Sequence, residues 1–202
     1  MKNNKIILFV LLLISLSSFS FIEFQAQTGK EVSDFSLRST SGKMISLKDV
    51  KDAKGYIVIF TCNHCPFAKL YSKRMNDLEA KYKPLGIPLL AINSMDSVLY
   101  KDERFEGMCK KARQEKFSFS YLQDADQSVG KDFGAEHTPH AYVIWKENGK
   151  WIIKYSGAID DNGEHPELAT SYIGNALQDL LQNKPVATPE TQSFGCKIYY
   201  RN

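Results

Sequence analysis

The stretch Tyr56-Ile57-Val58-Ile59-Phe60-Thr61-Cys62-Asn63-His64-Cys65-Pro66 decides the fold of this chain. Tyr56 to Phe60 is apolar throughout, as strands buried on both faces are. Two cysteines follow at C-x-x-C spacing, and Pro66 then falls in the first turn of a helix. The first amides of a helix lack intrahelical partners, and the helix dipole is positive at that end. Both effects favour thiolate over thiol, and the thiolate is the nucleophile. The second thiol is within reach of the first, so the pair can cycle between dithiol and disulfide.

Downstream, Phe67, Leu70, Tyr71, Met75, Leu78 and Tyr82 keep helical spacing up to a stop at Pro84 and Gly86. Ile87 to Asn93 reads as the next strand. A helix is predicted over 102–116, with Phe105, Met108, Cys109 and Ala112 on one face. A short strand over 118–122 and a brief helix over 126–133, ended by Gly134, come next. Strands over 141–145 and 151–155 are joined by the hairpin turn Glu147-Asn148-Gly149-Lys150. A last helix is predicted over 167–181, burying Leu168, Tyr172, Ala176, Leu180 and Leu181. Upstream, segments 32–37 and 43–47 are extended around the turn Ser39-Thr40-Ser41-Gly42. This order implies an α/β fold. Its mixed central sheet carries helices on both faces, an N-terminal strand extension and a C-terminal tail.

At 202 residues and 43% hydrophobic, the chain is long enough for one domain with a real core. A net charge of +3 with no basic stripe gives no electrostatic support to a nucleic-acid partner. Met1 to Lys5 is basic, Ile6 to Leu16 is almost entirely apolar, and Ser17, Ser18 and Ser20 follow. That is the pattern of an export signal, with cleavage after Ser20 or Ala26. The expected division is a signal peptide over 1–26, a domain over 27–183 and a tail over 184–202 that carries Cys196. Export places the protein in the periplasm or outside the cell. An uncleaved segment would instead anchor it to the membrane. Cys62, Cys65, Cys109 and Cys196 would then meet an oxidising compartment, with three possible pairings. No organic cofactor is implied, and nothing sets an oligomeric state.

Residues 30–183 resemble the thioredoxin superfamily. The resemblance rests on strand–C-x-x-C–helix, on Thr138-Pro139 before a strand, and on the closing hairpin and helix. It implies a cis proline facing the cysteines, with Thr138 and Pro139 presenting backbone to a substrate chain. More narrowly, Asp34-Phe35-Ser36-Leu37, Gly42-Lys43 and Leu47 are similar to the alkyl hydroperoxide reductase/thiol-specific antioxidant branch. Phe60 to Pro66, Ala91-Ile92-Asn93-Ser94, Tyr121-Leu122-Gln123-Asp124, Gly157 to Asn162 and Gly195-Cys196-Lys197-Ile198 are similar to its peroxiredoxin-like subgroup. The chain departs from the peroxidases of that branch. They carry Pro-x-x-x-Thr-x-x-Cys and a distant arginine. Here Cys62 stands three before Cys65, and no arginine lies between Arg113 and Arg201.

The expected chemistry is thiol–disulfide exchange with another thiol or disulfide protein. Cys62 is the expected nucleophile and Cys65 the resolving thiol. His64 is expected to depress the thiol pKa and make the disulfide more oxidising. Cys109 reads as a buried, inert cysteine. Cys196 reads either as a third redox thiol that resolves Cys62 or as a structural partner of Cys109. Two alternatives stand beside this reading. One is a thiol-dependent peroxidase using Cys65 or Cys62. The other is a Cu(I) or Zn chaperone using Cys62, Cys65 and His137 or His140. Asp160-Asp161-Asn162 lacks EF-hand spacing and reads as a solvated turn.

Overall fold

The computed structural model describes residues 27–201, so the expected signal segment, 1–26, lies outside the described residues. Three short strands come first: β1 (Glu31–Val32), β2 (Ser36–Ser39) and β3 (Met44–Ser46). The central strand β4 (Gly55–Phe60) leads into α1 (Pro66–Lys69) and α2 (Ser72–Tyr82). Next come β5 (Leu89–Asn93), α3 (Phe105–Gln114), β6 (Ser120–Gln123) and α4 (Ser128–Phe133). The short β7 (His137–Thr138) precedes the hairpin of β8 (His140–Glu147) and β9 (Lys150–Gly157). The described chain closes with α5 (Tyr172–Leu181) and β10 (Cys196–Lys197). Among the described residues, eight strands form one sheet in the order β1-β9-β8-β4-β5-β6-β2-β3, while β10 pairs with β7 in a separate ladder. β4, β5 and β6 run parallel and β8 antiparallel to β4, which makes the expected mixed α/β sheet of the thioredoxin fold.

The two-residue period of the strands divides the core between two faces. Tyr56, Val58 and Phe60 join Leu90, Ile92 and Tyr142 on one face. Ile57 and Ile59 join Leu89, Ala91 and Val143 on the other, which α2, α3 and α5 cover with Met75, Met108 and Leu177. Each fully buried Val, Leu, Ile, Met or Phe among them is worth about 1.5–3 kcal/mol. On the first face Phe133 of α4 meets Phe60 and Tyr142 edge to face, with centroids 5.3 and 5.2 Å apart. Val143 opposes Tyr155 and Ile144 opposes Ile153, so β9 carries one extra residue. Through that bulge Ile153 and Tyr155, two apart in sequence, point to opposite faces.

Tertiary contacts override the sequence pattern at several places. The helix after Cys65 is broken, because the amides of Leu70 and Tyr71 reach only Phe67 and Ala68 before α2 begins. Phe67 and Leu70, expected in the core, are 47% and 44% exposed. Tyr71 turns inward instead and donates its hydroxyl to Asp160 Oδ1 at 3.0 Å. Arg74 lies over the Tyr71 ring at 4.3 Å and pairs with Asp160 Oδ2 at 2.5 Å. Asp160 is therefore a buried anchor between α2 and the end of β9, not part of a solvated turn.

The helix predicted over 102–116 is split. Lys101–Glu103 forms a 3₁₀ turn, Arg104 is extended, and α3 starts at Phe105. The last helix starts at Tyr172, where Ser171 Oγ accepts from Gly174 N at 3.2 Å. Leu168, expected in its buried stripe, lies in a separate turn and is 74% exposed, while Ile173, Ala176, Leu177 and Leu180 are buried. The β8–β9 hairpin turns through Asn148 and Gly149, both at positive φ (50° and 80°), as a two-residue turn requires. The segment after α5 folds back onto the domain. Thr191 N donates to Ser156 O at 3.0 Å, and Ile198 N donates to Glu136 O at 2.8 Å.

Candidate functional site

β4, an interior strand, delivers Thr61 and Cys62 at its carboxyl end, where Thr61 N still donates to Ile92 O at 2.8 Å. Cys65 occupies the N-cap position of α1, with extended backbone at φ −60° and ψ 122°. The Thr138–Pro139 peptide is cis. Cys62 Sγ lies 3.1 Å from Thr138 Oγ1, and Cys65 Sγ lies 3.2 Å from Thr138 O. Four of the residues singled out in the sequence, Cys62, Cys65, Thr138 and Pro139, thus belong to one site. All four cysteines are free, and both Cys62 and Cys65 are 0% exposed.

The two thiols are held in unequal surroundings. The hydrogen bond from the Cys62 thiol lowers the pKa of Cys65 to about 4, with further bonds from the side chain and amide of Cys196 and the amide of Ala68. Burial opposes this and is outweighed. The same Cys62–Cys65 bond raises the pKa of Cys62, and burial and the negative charge of Glu103 add to the rise. The sequence expects Cys62 as the nucleophile, and the contacts around the pair lower the pKa of Cys65 and raise that of Cys62. In its neutral form Cys65 donates to Thr138 O instead.

Beneath the loop sits Glu103, which is buried and was not singled out from sequence. Its carboxylate accepts from the amides of Asn63 and His64 at 2.9 Å and from Asn93 Nδ2 at 2.7 Å. His64 Nδ1 lies 2.5 Å from Glu103 Oε1, and the ring stacks on Tyr100 at 4.8 Å. His64, expected to act on a thiol, is therefore tied to Glu103. Lys111 was also missed. Its Nζ donates to Cys62 O at 2.9 Å, and burial lowers its pKa. Both residues lie in the charged run 101–116, about forty to fifty positions from the cysteines, and no local pattern separates them from a solvated helix face.

The remaining expected residues fall in different places. His137 Nδ1 meets Ser193 Oγ at 3.1 Å. His140 is buried against Ser156 and stacked on Tyr142, and burial lowers its pKa to about 3. Neither joins the cysteines as a metal-ligating group. Among the described residues the cluster of that kind is Cys62, His64 and Glu103, with ligand atoms within 4.8 Å of one another. Its carboxylate is already engaged by loop amides, as just described. Cys109 is half-buried, with Sγ 3.8 Å from Thr40 O. Cys196 packs beside Cys65.

A curled mixed sheet, with a C-x-x-C pair at a helix start opposite a cis proline, defines a thioredoxin-fold dithiol protein. Residues 28–161 match the AhpC/TSA family, and the chain belongs to it. The thiol-disulfide oxidoreductase ResA of Bacillus anthracis is 28% identical over 166 residues, spanning 78% of this chain and 91% of that protein. The crystal structure of an uncharacterized conserved protein from Geobacillus kaustophilus superposes with a TM-score of 0.78. It is 32% identical and covers 86% of this chain and 92% of its own. The thioredoxin domain of a thiol-disulfide oxidoreductase from Bacteroides vulgatus shares the fold, with a TM-score of 0.52 and 17% identity. That match covers 64% of this chain and 89% of the other.

Proposed function

We propose that this protein is an exported thiol–disulfide oxidoreductase that exchanges a disulfide with a partner protein through Cys65 and Cys62. The observation that carries this is the pair of thiols at the helix start, with Cys65 in the N-cap position and both sulfurs against Thr138. In the oxidising direction for the pair, the Cys65 thiolate attacks a sulfur of the partner's disulfide. A Cys65–partner bond forms, and the other partner sulfur leaves as a thiolate. Cys62 then gives its proton to the released partner thiolate and attacks Cys65. The Cys62–Cys65 disulfide forms and the partner departs reduced. The same steps run backwards when the pair donates its disulfide. Thr138 and Pro139 supply the edge along which a partner chain aligns. Glu103 and His64 hold the loop that sets the geometry of the thiols.

Export is supported by the N-terminal sequence, and no helix among the described residues is long and apolar enough to cross a membrane. The proposed division is a signal peptide over 1–26, the domain over 27–183 and a tail from 184. The test is exchange itself. The reduced protein is expected to reduce a protein disulfide stoichiometrically, and the oxidised protein to be recharged by a dithiol. Rapid peroxide consumption with no exchange would overturn the reading in favour of a peroxidase.

The unequal thiols make a second, quantitative expectation. The 240 nm absorbance of the thiolate in the reduced protein should persist down to about pH 4, the value to which Cys65 is lowered. Ionisation stabilises the reduced pair, so the disulfide should be clearly more oxidising than that of thioredoxin, about −270 mV. A single absorbance step near pH 9 together with a thioredoxin-like potential would refute the assignment.

A further inference from the structure

Both thiols of the pair are wholly buried, yet exchange demands that a third sulfur approach one of them in line. What lies over them is the chain's own C-terminal segment. β10 pairs antiparallel with β7, with Cys196 opposite Thr138 and Lys197 opposite His137. The backbone edge beside the cysteines is thus already occupied by an extended strand that carries a cysteine. The register is built in. Gly195, at φ 137°, passes so close over Thr138 that an added Cβ would meet Thr138 O at 2.2 Å. Ile198 is buried in the first core, and its amide is bonded to Glu136 O. Tyr200 Oη donates to Ala135 O at 2.6 Å, and Gln127 Nε2 donates to Tyr199 O at 3.0 Å. Thr138 Oγ1, already against Cys62 Sγ, is also 3.5 Å from Cys196 O. Cys196 packs against the buried cluster that contains both Cys62 and Cys65. An extended peptide that added itself to this edge would place its cysteine where Cys196 lies.

We propose that β10 is an intramolecular stand-in for the substrate strand, and that Cys196 is a third exchange thiol paired with Cys65. The inference rests on the thiol–disulfide reading and adds a step to it. From the Cys62–Cys65 disulfide, the Cys196 thiolate attacks Cys65 Sγ. The Cys65–Cys196 bond forms as the Cys62–Cys65 bond breaks, and the electron pair leaves on Cys62. The proton lost by Cys196 ends on Cys62, so no oxidant or reductant is consumed. The resulting bridge pins β10 across the edge and closes it to partners. In the reduced protein β10 is held by non-covalent contacts alone and can yield to a cysteine-bearing extended strand of the partner.

The test uses a Cys62→Ser/Cys109→Ser variant, which leaves Cys65 and Cys196. Oxidation with glutathione disulfide, followed by alkylation and peptide mapping, should give the Cys65–Cys196 cross-link in at least tenfold excess over glutathione-capped Cys65. A stable glutathione adduct on Cys65 without cross-link would overturn the proposal. Ile198→Asp, which places a charge in the pocket that seats β10, should raise the iodoacetamide reaction rate of Cys65 in the reduced protein at least tenfold, with unchanged far-UV circular dichroism. An unchanged rate would show that β10 is not the cover and would overturn the stand-in. Absence of exchange between the wild-type protein and any protein disulfide, alongside an intact cross-link, would sink the exchange reading alone.

Discussion

Cys65→Ser is expected to abolish exchange, by a factor of about a thousand or more, as removal of a covalent nucleophile does elsewhere. The variant keeps Cys62, whose bond partner would then be a hydroxyl. Burial and the charge of Glu103 still act on Cys62 and hold it protonated. A protonated thiol does not attack a disulfide. The complementary variant, Cys62→Ser/Cys196→Ser, keeps Cys65 and removes both thiols that can resolve it. It is expected to accumulate a mixed disulfide with its partner, stable to gel electrophoresis without reductant. Loss of the Cys62 thiol bond should raise the Cys65 pKa, because that bond is its largest stabilising contact, so trapping should be slower at pH 5 than at pH 8. The reverse pattern, with a Cys65→Ser/Cys196→Ser variant trapping the partner and Cys62→Ser/Cys196→Ser inert, would restore the nucleophile to Cys62.

The division of roles between these thiols marks where the sequence stops being informative. The apolar strand Tyr56 to Phe60, the C-x-x-C pair and Pro66 are contiguous, so local rules place them together. Thr138-Pro139 was legible only because the motif resembles a known family, since nothing in its neighbours says which cysteine it faces. Phe67 and Leu70 obey helical periodicity yet lie outward, because Tyr71 and Arg74 are drawn to Asp160 and the helix breaks there. A buried carboxylate and a surface carboxylate look alike in a sequence, which hid Asp160 and Glu103 equally. Cys196 has two readings from sequence, a third redox thiol resolving Cys62 or a structural partner of Cys109, and spacing does not choose between them. The register of β10 on β7 sets it beside Cys65, and register between segments sixty residues apart is a tertiary property.

Glu103 carries the second large expectation. Glu103→Ala would strip one buried acceptor from the amides of Asn63 and His64, from the His64 ring and from Asn93 Nδ2. Each buried donor left without a partner costs about 1–3 kcal/mol, and the losses overlap within one loop. A total of about 3–4 kcal/mol corresponds to a fall in Tm of about 10 °C for a chain of this size. Stability is half of the test. Removing the Glu103 charge also removes a contribution that raises the Cys62 pKa, so Cys62 should ionise more readily. In a Cys65→Ser background, Glu103→Gln is therefore expected to increase the alkylation rate of Cys62 at pH 8, while losing less stability than Glu103→Ala. An alkylation rate unchanged in Glu103→Gln would reduce Glu103 to a strut for the loop. A Tm unchanged in Glu103→Ala would refute its place as the anchor beneath the two cysteines.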